Sequence, residues 1–269
     1  PGAHLSVFQA LQAWLSPTQA VVPEAELFPT GQSQQETQQQ DTAQMTGSQQ
    51  TAQAAAFSVL HIPYQTRVTI TQVLPGTPAA GVLKTGDVVL SVNGAKVTGQ
   101  TQLTSLISAR PAGSVLRLEV RRSGKTIPLA VRTKQIGGRP VMGVTITENF
   151  TFPYNVRFTV GNIGGPSAGM MFALGLIDKL THDNLTGGKF IAGTGEITST
   201  GQVQQIGGIQ QKMTGARNAG ATVFLAPAGN CPDVRGSTPA GLKVVKVGTL
   251  SQAMSDLEAL KKGQPVPSC

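Results

Sequence analysis

The chain has 269 residues, enough for two modest domains or one large one. Its 21 Lys and Arg against 13 Asp and Glu leave a formal charge of +8. The basic residues are dispersed and aromatic residues are few, so no nucleic-acid partner is expected. No run of 18 apolar residues is present to span a bilayer. The first residue is Pro1, not Met, which leads to the expectation of an upstream signal or anchor that has been removed.

Leu5, Phe8, Leu11 and Leu15 recur at helical spacing, and Pro17 and Pro23 then break the pattern. Residues 31–53 are rich in Gln, Thr and Ser, a composition shared by linkers. Two capping-box patterns, Ser33-x-x-Glu36 and Thr46-x-x-Gln49, favour two helices ending near Leu60 instead. From Val68 the pattern turns to strands. Val68, Ile70 and Val73 begin it, and Pro75-Gly76 turns the chain into a short helix at Thr77–Ala80. Gly86-Asp87 turns again into the strand VVLSV and the tight turn Asn93-Gly94. Gln102–Ala109 reads as a helix. LRLEVRR alternates as a half-buried strand, Ser123-Gly124 turns it, and IPLAV closes a compact β-rich module.

After Gly137-Gly138 strands and helices alternate. Val141–Thr147 and Val156–Val160 read as strands, and Ser167–Leu180 as a helix apolar almost all round. Phe190–Ile197 is a strand leading to a hairpin at Ser199–Gly201. Ile209–Asn218 is a helix stopped by Gly220. Val223–Ala226 and Leu242–Val247 are strands, and Leu250–Lys261 is the last helix. The expected fold is a two-domain α+β and α/β protein: a helical segment at 1–61, a β-rich module at 62–136, an α/β domain at 137–262 and a tail at 263–269.

Gly165-Pro166-Ser167-Ala168-Gly169 reads as a nucleophile turn. The histidines are His4, His61 and His182. Only His182 follows Ser167, just past the apolar run, so a hydrolase triad lacks its distant histidine. Ser167 is either a nucleophile with another kind of base or a helix N-cap. Gly165, Pro166 and Ala168 would shape the turn, with backbone N–H groups at the helix start available to an oxyanion. The same glycines do not make a phosphate loop, because no G-x-x-x-x-G-K-[ST] occurs.

Lys212 lies in a helix that follows Gly207-Gly208. It flanks the apolar face marked by Ile209, Met213 and Ala216. Partial burial there would favour a neutral amine able to take a hydroxyl proton; a solvated helix lysine is the other reading. Cys231 and Cys269 have no neighbouring cysteines or histidines, so no metal site is expected. A disulfide and two free thiols both remain open.

Two stretches carry family resemblances. LPGTPAAGVLKTGDVVLSVNG (74–94) resembles a bacterial PDZ domain, a module that binds extended peptides by strand addition. The resemblance implies a capture loop around Tyr64, Gln65, Thr66, Arg67 and Val68; a packing module with no free groove is the alternative. GPSAG with GTGEITSTGQVQQIGGIQQK (193–212) resembles the proteolytic domain of Lon-type serine peptidases. That resemblance implies Ser167 as nucleophile, Lys212 as general base and Thr194 as support for the lysine, with Glu196 in the same motif. Gly164 and the histidine-free NVRFTVGN depart from many members of that family.

The PDZ–Lon order, and the run WLSPTQAVVPEAELFPTGQSQQE, resemble the bacterial membrane-anchored Lon-like proteases that work without ATP. This implies an endopeptidase with no cofactor, held outside the cytoplasmic membrane by an upstream segment. Such a location fits a Cys231–Cys269 disulfide. The implied partners are unfolded or extended polypeptides and, as in many Lon domains, further copies of the chain. The alternative function is a latent or inactive protease that serves as a PDZ peptide-binding adaptor.

Overall fold

A computed structural model of the chain describes residues 34–159, 165–181 and 184–269. The helix expected at 5–15, residues 160–164 and His182 lie outside the described residues. The chain divides into two compact units, one of Pro63–Asn155 and one that joins the chain up to Ile62 with Val156–Cys269.

The second of these units opens with α1 (Gln34–Val59), a single helix where two were expected. Thr46 starts no new helix, because its hydroxyl bonds back to the Thr42 carbonyl at 2.9 Å. The first half of α1 is largely exposed, whereas Ala52 to Phe57 are buried. Consecutive alanines leave no side-chain bulk, so neighbouring helices approach closely.

The other unit is built on a six-stranded antiparallel sheet. Its elements are β1 (Gln65–Val73), β2 (Val88–Val92), β3 (Ala95–Lys96), α2 (Gln100–Ser108), β4 (Val115–Arg122) and β5 (Lys125–Arg132). There follow the small hairpin β6 (Lys134–Ile136) and β7 (Arg139–Val141), and then β8 (Val144–Thr151). The order is β5-β4-β2-β1-β8, with β3 on β2. In β4, Leu116, Leu118 and Val120 point inward and alternate with exposed residues, as the sequence pattern requires. Asn93 and Gly94 both have positive φ (51° and 81°), the condition for the tight β2–β3 turn. The Thr77–Ala80 segment is a turn, not a helix.

The strand expected to open the α/β domain belongs instead to this sheet. β8 pairs with β1 from Gln65↔Thr151 to Val73↔Val144, and Val144 and Ile146 pack on the core around Ile70, Leu116 and Leu118. Beneath that core, Asp87 is fully buried and gripped by Arg122 through two bonds of 2.7 Å. Burial alone would raise the Asp87 carboxyl; Arg122 and the Lys84 N–H outweigh it and hold the group below its usual range.

In the unit that contains α1, residues 156–159 form no strand, and among the described residues β9 (Ile191–Gly193) pairs only with β12 (Val223–Pro227). The Phe158 ring instead lies 5.2 Å from Phe172 on α3 (Gly169–Leu180). A parallel sheet of β13 (Lys243–Val247), β12 and β9 forms the floor, with β12 buried at every position. The hairpin β10 (Glu196–Ile197) and β11 (Val203–Gln204), the helix α4 (Ile209–Asn218), the short α5 (Cys231–Val234) and α6 (Leu250–Lys261) complete the unit. Cys231 and Cys269 form a disulfide with Cα atoms 5.0 Å apart, so the expectation left open is settled in favour of the bonded form in this structure. Among the described residues no helix is long and apolar enough to cross a membrane.

Asp256 on α6 is 8% exposed, and its Oδ2 has no hydrogen-bond partner among the described residues. Burial raises its pKa above the usual carboxylate range. The fold therefore favours the protonated acid, and stability falls as pH rises from the unfolded pKa through the folded one. Asp256→Asn is expected to be more stable than the parent at pH 7, by about 1 kcal/mol. The gap should close in denaturant titrations below pH 4, on the order of the unfolded carboxylate pKa.

Candidate active site

Gly165 enters the turn with a φ of 79°, Pro166–Ala168 form a 3-10 turn, and α3 starts at Gly169. The turn is fixed through its carbonyl groups. The Ser167 carbonyl accepts from the Gly195 amide at 2.7 Å and from the Thr194 hydroxyl at 2.9 Å. The Pro166 carbonyl accepts from the Ser48 hydroxyl of α1 at 3.1 Å. Gly169 is required for this packing: a Cβ there would stand 3.0 Å from Ile197 Cγ2 and 3.1 Å from Ser48 Oγ. Ser167 and Ala168 thus sit where helix amides lack intrahelical acceptors. Pro166 has no N–H and shapes the turn without serving as a donor.

α4 is set with comparable care. Gly208 takes the left-handed conformation (φ 67°) just before the helix. The buried Asn230 side chain clamps the preceding Ile206 on both its N–H and its carbonyl, each at 2.9 Å. Ile209 and Met213 are buried with Phe224 and Val244, and the partly buried Cys269 packs against the same cluster. Lys212 is thereby carried to the turn. Its Nζ donates to Ser167 Oγ at 3.2 Å. Ser167 is half-buried, but Lys212 is exposed, not flanking an interior face as its spacing suggested.

A cavity of about 420 Å³ opens at this pair, lined by Ser167, Ala168, Thr194 and Lys212 together with Met45 from α1. Thr194, expected to support the lysine, lines the cavity with it and holds the Ser167 backbone through its hydroxyl. Glu196 sits in β10 opposite Gln204. Neither Asn230 nor Met45 was picked out from the sequence; each is one polar or apolar residue within an ordinary pattern.

The expected PDZ capture residues separate. Tyr64, Gln65, Thr66 and Arg67 line a cavity of about 710 Å³ that also holds Lys96 and Arg121. Val68 is buried in the core. β1 offers no open edge for strand addition on its β8 side, since β8 is bonded along it. The strand that ends the sheet there is β8.

Residues 158–258 match the family model of the Lon protease (S16) C-terminal proteolytic domain, and residues 36–133 match that of the PDZ domain. The Lon protease of Roseiflexus castenholzii is 45% identical over 71 residues, which are 26% of this chain and 9% of that one. The Lon protease of Campylobacter concisus is 27% identical over 172 residues, covering 62% of this chain and 21% of that one. The chain thus spans only a small part of the curated relatives it matches. The solved PDZ domain of an SdrC-like protein from Listeria monocytogenes shares 21% identity over 29% of this chain and 85% of its own, with a TM-score of 0.28. The chain carries a PDZ domain followed by a Lon-type proteolytic domain.

Thr194→Val keeps the shape of the side chain and removes its donor from the Ser167 carbonyl. The expected cost is about 1 kcal/mol of stability, read from denaturant unfolding of the two proteins.

Proposed function

We propose that this chain, with its PDZ domain ahead of a Lon-type proteolytic domain, is a serine endopeptidase that cleaves unfolded or extended polypeptides through a Ser167–Lys212 dyad. The observation that carries this reading is the 3.2 Å bond from Lys212 Nζ to Ser167 Oγ at the mouth of a cavity. That distance lies within reach of direct proton transfer.

The chemistry follows from the geometry. Neutral Lys212 takes the Ser167 hydroxyl proton as Oγ attacks the peptide carbonyl carbon. Backbone N–H groups at Ser167 and Ala168, where the helix begins, face the negative charge that develops on the carbonyl oxygen. The C–N bond breaks as Lys212 passes its proton to the leaving amine. Water then enters, gives a proton to Lys212 and attacks the acyl carbon; the ester bond to Ser167 Oγ breaks, the carboxylic product leaves, and Lys212 returns the proton to Ser167 Oγ. A bound peptide would cover the exposed lysine and exclude water from the pair.

No nucleotide is required in this scheme, and no Walker A sequence occurs within the 269 residues. The PDZ domain would supply extended chains by strand addition. Its suitable edge is the open side of β8, next to α2, where the Gln100 N–H donates to the Glu148 carboxylate of β8. The Cys231–Cys269 disulfide favours work in an oxidising, extracytoplasmic setting.

Casein is expected to be cleaved by the wild-type chain without ATP. Ser167→Ala and Lys212→Ala should each lose on the order of 10³-fold or more in rate. The melting temperature of Lys212→Ala should match the parent's, because the residue is exposed. Cleavage retained by either variant would rule out the dyad, and a wild type that binds but never cleaves would favour the adaptor reading. In Ser167→Ala protein, unfolded casein should slow amide exchange across Val144–Thr151 and Gln100–Ser108. Slowing confined to Tyr64–Arg67 would put the peptide in the cavity beside β2 instead.

A further inference from the structure

The first half of α1 presents an almost entirely polar, exposed surface, with two exceptions. Met45 and Ser48 are 6% and 8% exposed, while Thr42, Ala43, Gln44, Thr46 and Gly47 between and before them face water. The two buried residues are three positions apart and so share one helix face. Ser48 fastens that face to the Pro166 carbonyl, one residue before Ser167. Met45, a turn earlier, reaches the cavity that holds Ser167 and Lys212.

The Lon-type resemblance does not reach this helix. The Lon-type match begins at residue 158, and the PDZ match takes in residues 36–133, including α1. By its contacts, however, α1 belongs to the unit that contains Ser167. The remaining cavity walls are Ala192, Gly193, Gly215, Ala216 and Phe224. Apart from Lys212 they bring no charge, and most bring little bulk. Among the described residues that line it, Met45 is the one long, flexible side chain without a charge, of a kind that adapts its shape to what it touches.

We propose that Met45 is a specificity-determining residue. It forms the adjustable wall of a pocket for an uncharged, apolar substrate side chain next to the scissile bond, and it sets how large that side chain can be. The inference rests on the reading of Ser167 as the nucleophile. Shortening the wall admits larger side chains, and lengthening it excludes them. One or two methylenes of fit in such a pocket change kcat/KM by roughly 10-fold or more.

The test uses the full chain and a set of fluorogenic peptides that differ only in the residue before the cleaved bond: Ala, Leu or Phe. Met45→Ala should raise the Phe-to-Ala ratio of kcat/KM by roughly tenfold, and Met45→Trp should lower it. Met45→Leu, which keeps the volume, should preserve the wild-type ratio. Met45→Val is measured alongside, so that an unfolded Met45→Ala protein does not end the test. Ratios that stay at the wild-type value in all folded variants, or rates that fall equally for all three peptides, overturn the assignment of Met45. If the wild type cleaves none of them, or Ser167→Ala cleaves them as well, the underlying protease reading fails and this inference falls with it.

Discussion

The Ser167 carbonyl is held from two directions, by the Gly195 amide and the Thr194 hydroxyl. Much of the unit that contains Ser167 is arranged around that grip. The Met170 amide returns a bond to the Gly195 carbonyl, so the start of α3 and the strand region before β10 are cross-bonded in both directions. The Thr194 amide continues the chain of bonds to Leu225 in the buried strand β12. A serine hydroxyl can meet a lysine from a different helix only if its backbone cannot drift, and here the backbone is tied through to the sheet. The arrangement also explains two glycines. Gly169 admits Ile197 and Ser48, and at Gly195 a Cβ would come within 2.7 Å of the Val203 side chain.

The partner side is anchored independently. Asn230 fixes Ile206, the Gly207–Gly208 pair frees the chain to turn, and Ile209 and Met213 seat α4 in the core. The disulfide adjoins Asn230 in sequence and closes a separation of 38 residues. A loop of that length is worth roughly 4 kcal/mol in the chain-entropy treatment. The tail it retains is further bonded, through the Pro267 carbonyl to the Lys246 amide and the Cys269 carbonyl to Arg235. Lys212 itself stays at the surface, so its position is set by the helix beneath it and not by its own burial.

Much of this was legible from local pattern. The alternation in β4, the Asn93-Gly94 and Ser123-Gly124 turns and the helix at 250–261 all rest on interactions within a few residues. The pairing of Ser167 with Lys212 is read from a shortage of histidine together with a long motif resemblance, and Lys212 Nζ lies 3.2 Å from Ser167 Oγ. What escaped was long-range. β8 has the same alternating character as any half-buried strand, and nothing local states that it pairs with a strand some 80 positions earlier, as Thr69↔Thr147 does. Capping patterns proved ambiguous in both directions. Thr46 satisfies the Thr42 carbonyl within a continuous helix, whereas Thr249, not singled out, caps α6 by accepting from the Gln252 amide. The burial expected for Lys212 failed because helical spacing gives a direction from the axis but not the depth of what lies there. Met45 stood in a Gln- and Thr-rich run, where only the tertiary contact gives it meaning.

The most direct measurement is the covalent position of a peptide boronate, which bonds to an activated serine and imitates the tetrahedral intermediate. The account predicts a bond to Ser167 Oγ, seen by crystallography or peptide mass mapping, with Lys212 Nζ still within hydrogen-bond distance. Lys212→Ala should bind the same boronate far more weakly. A boronate bonded to another residue, or held equally well without Lys212, would contradict the pairing on which the account depends.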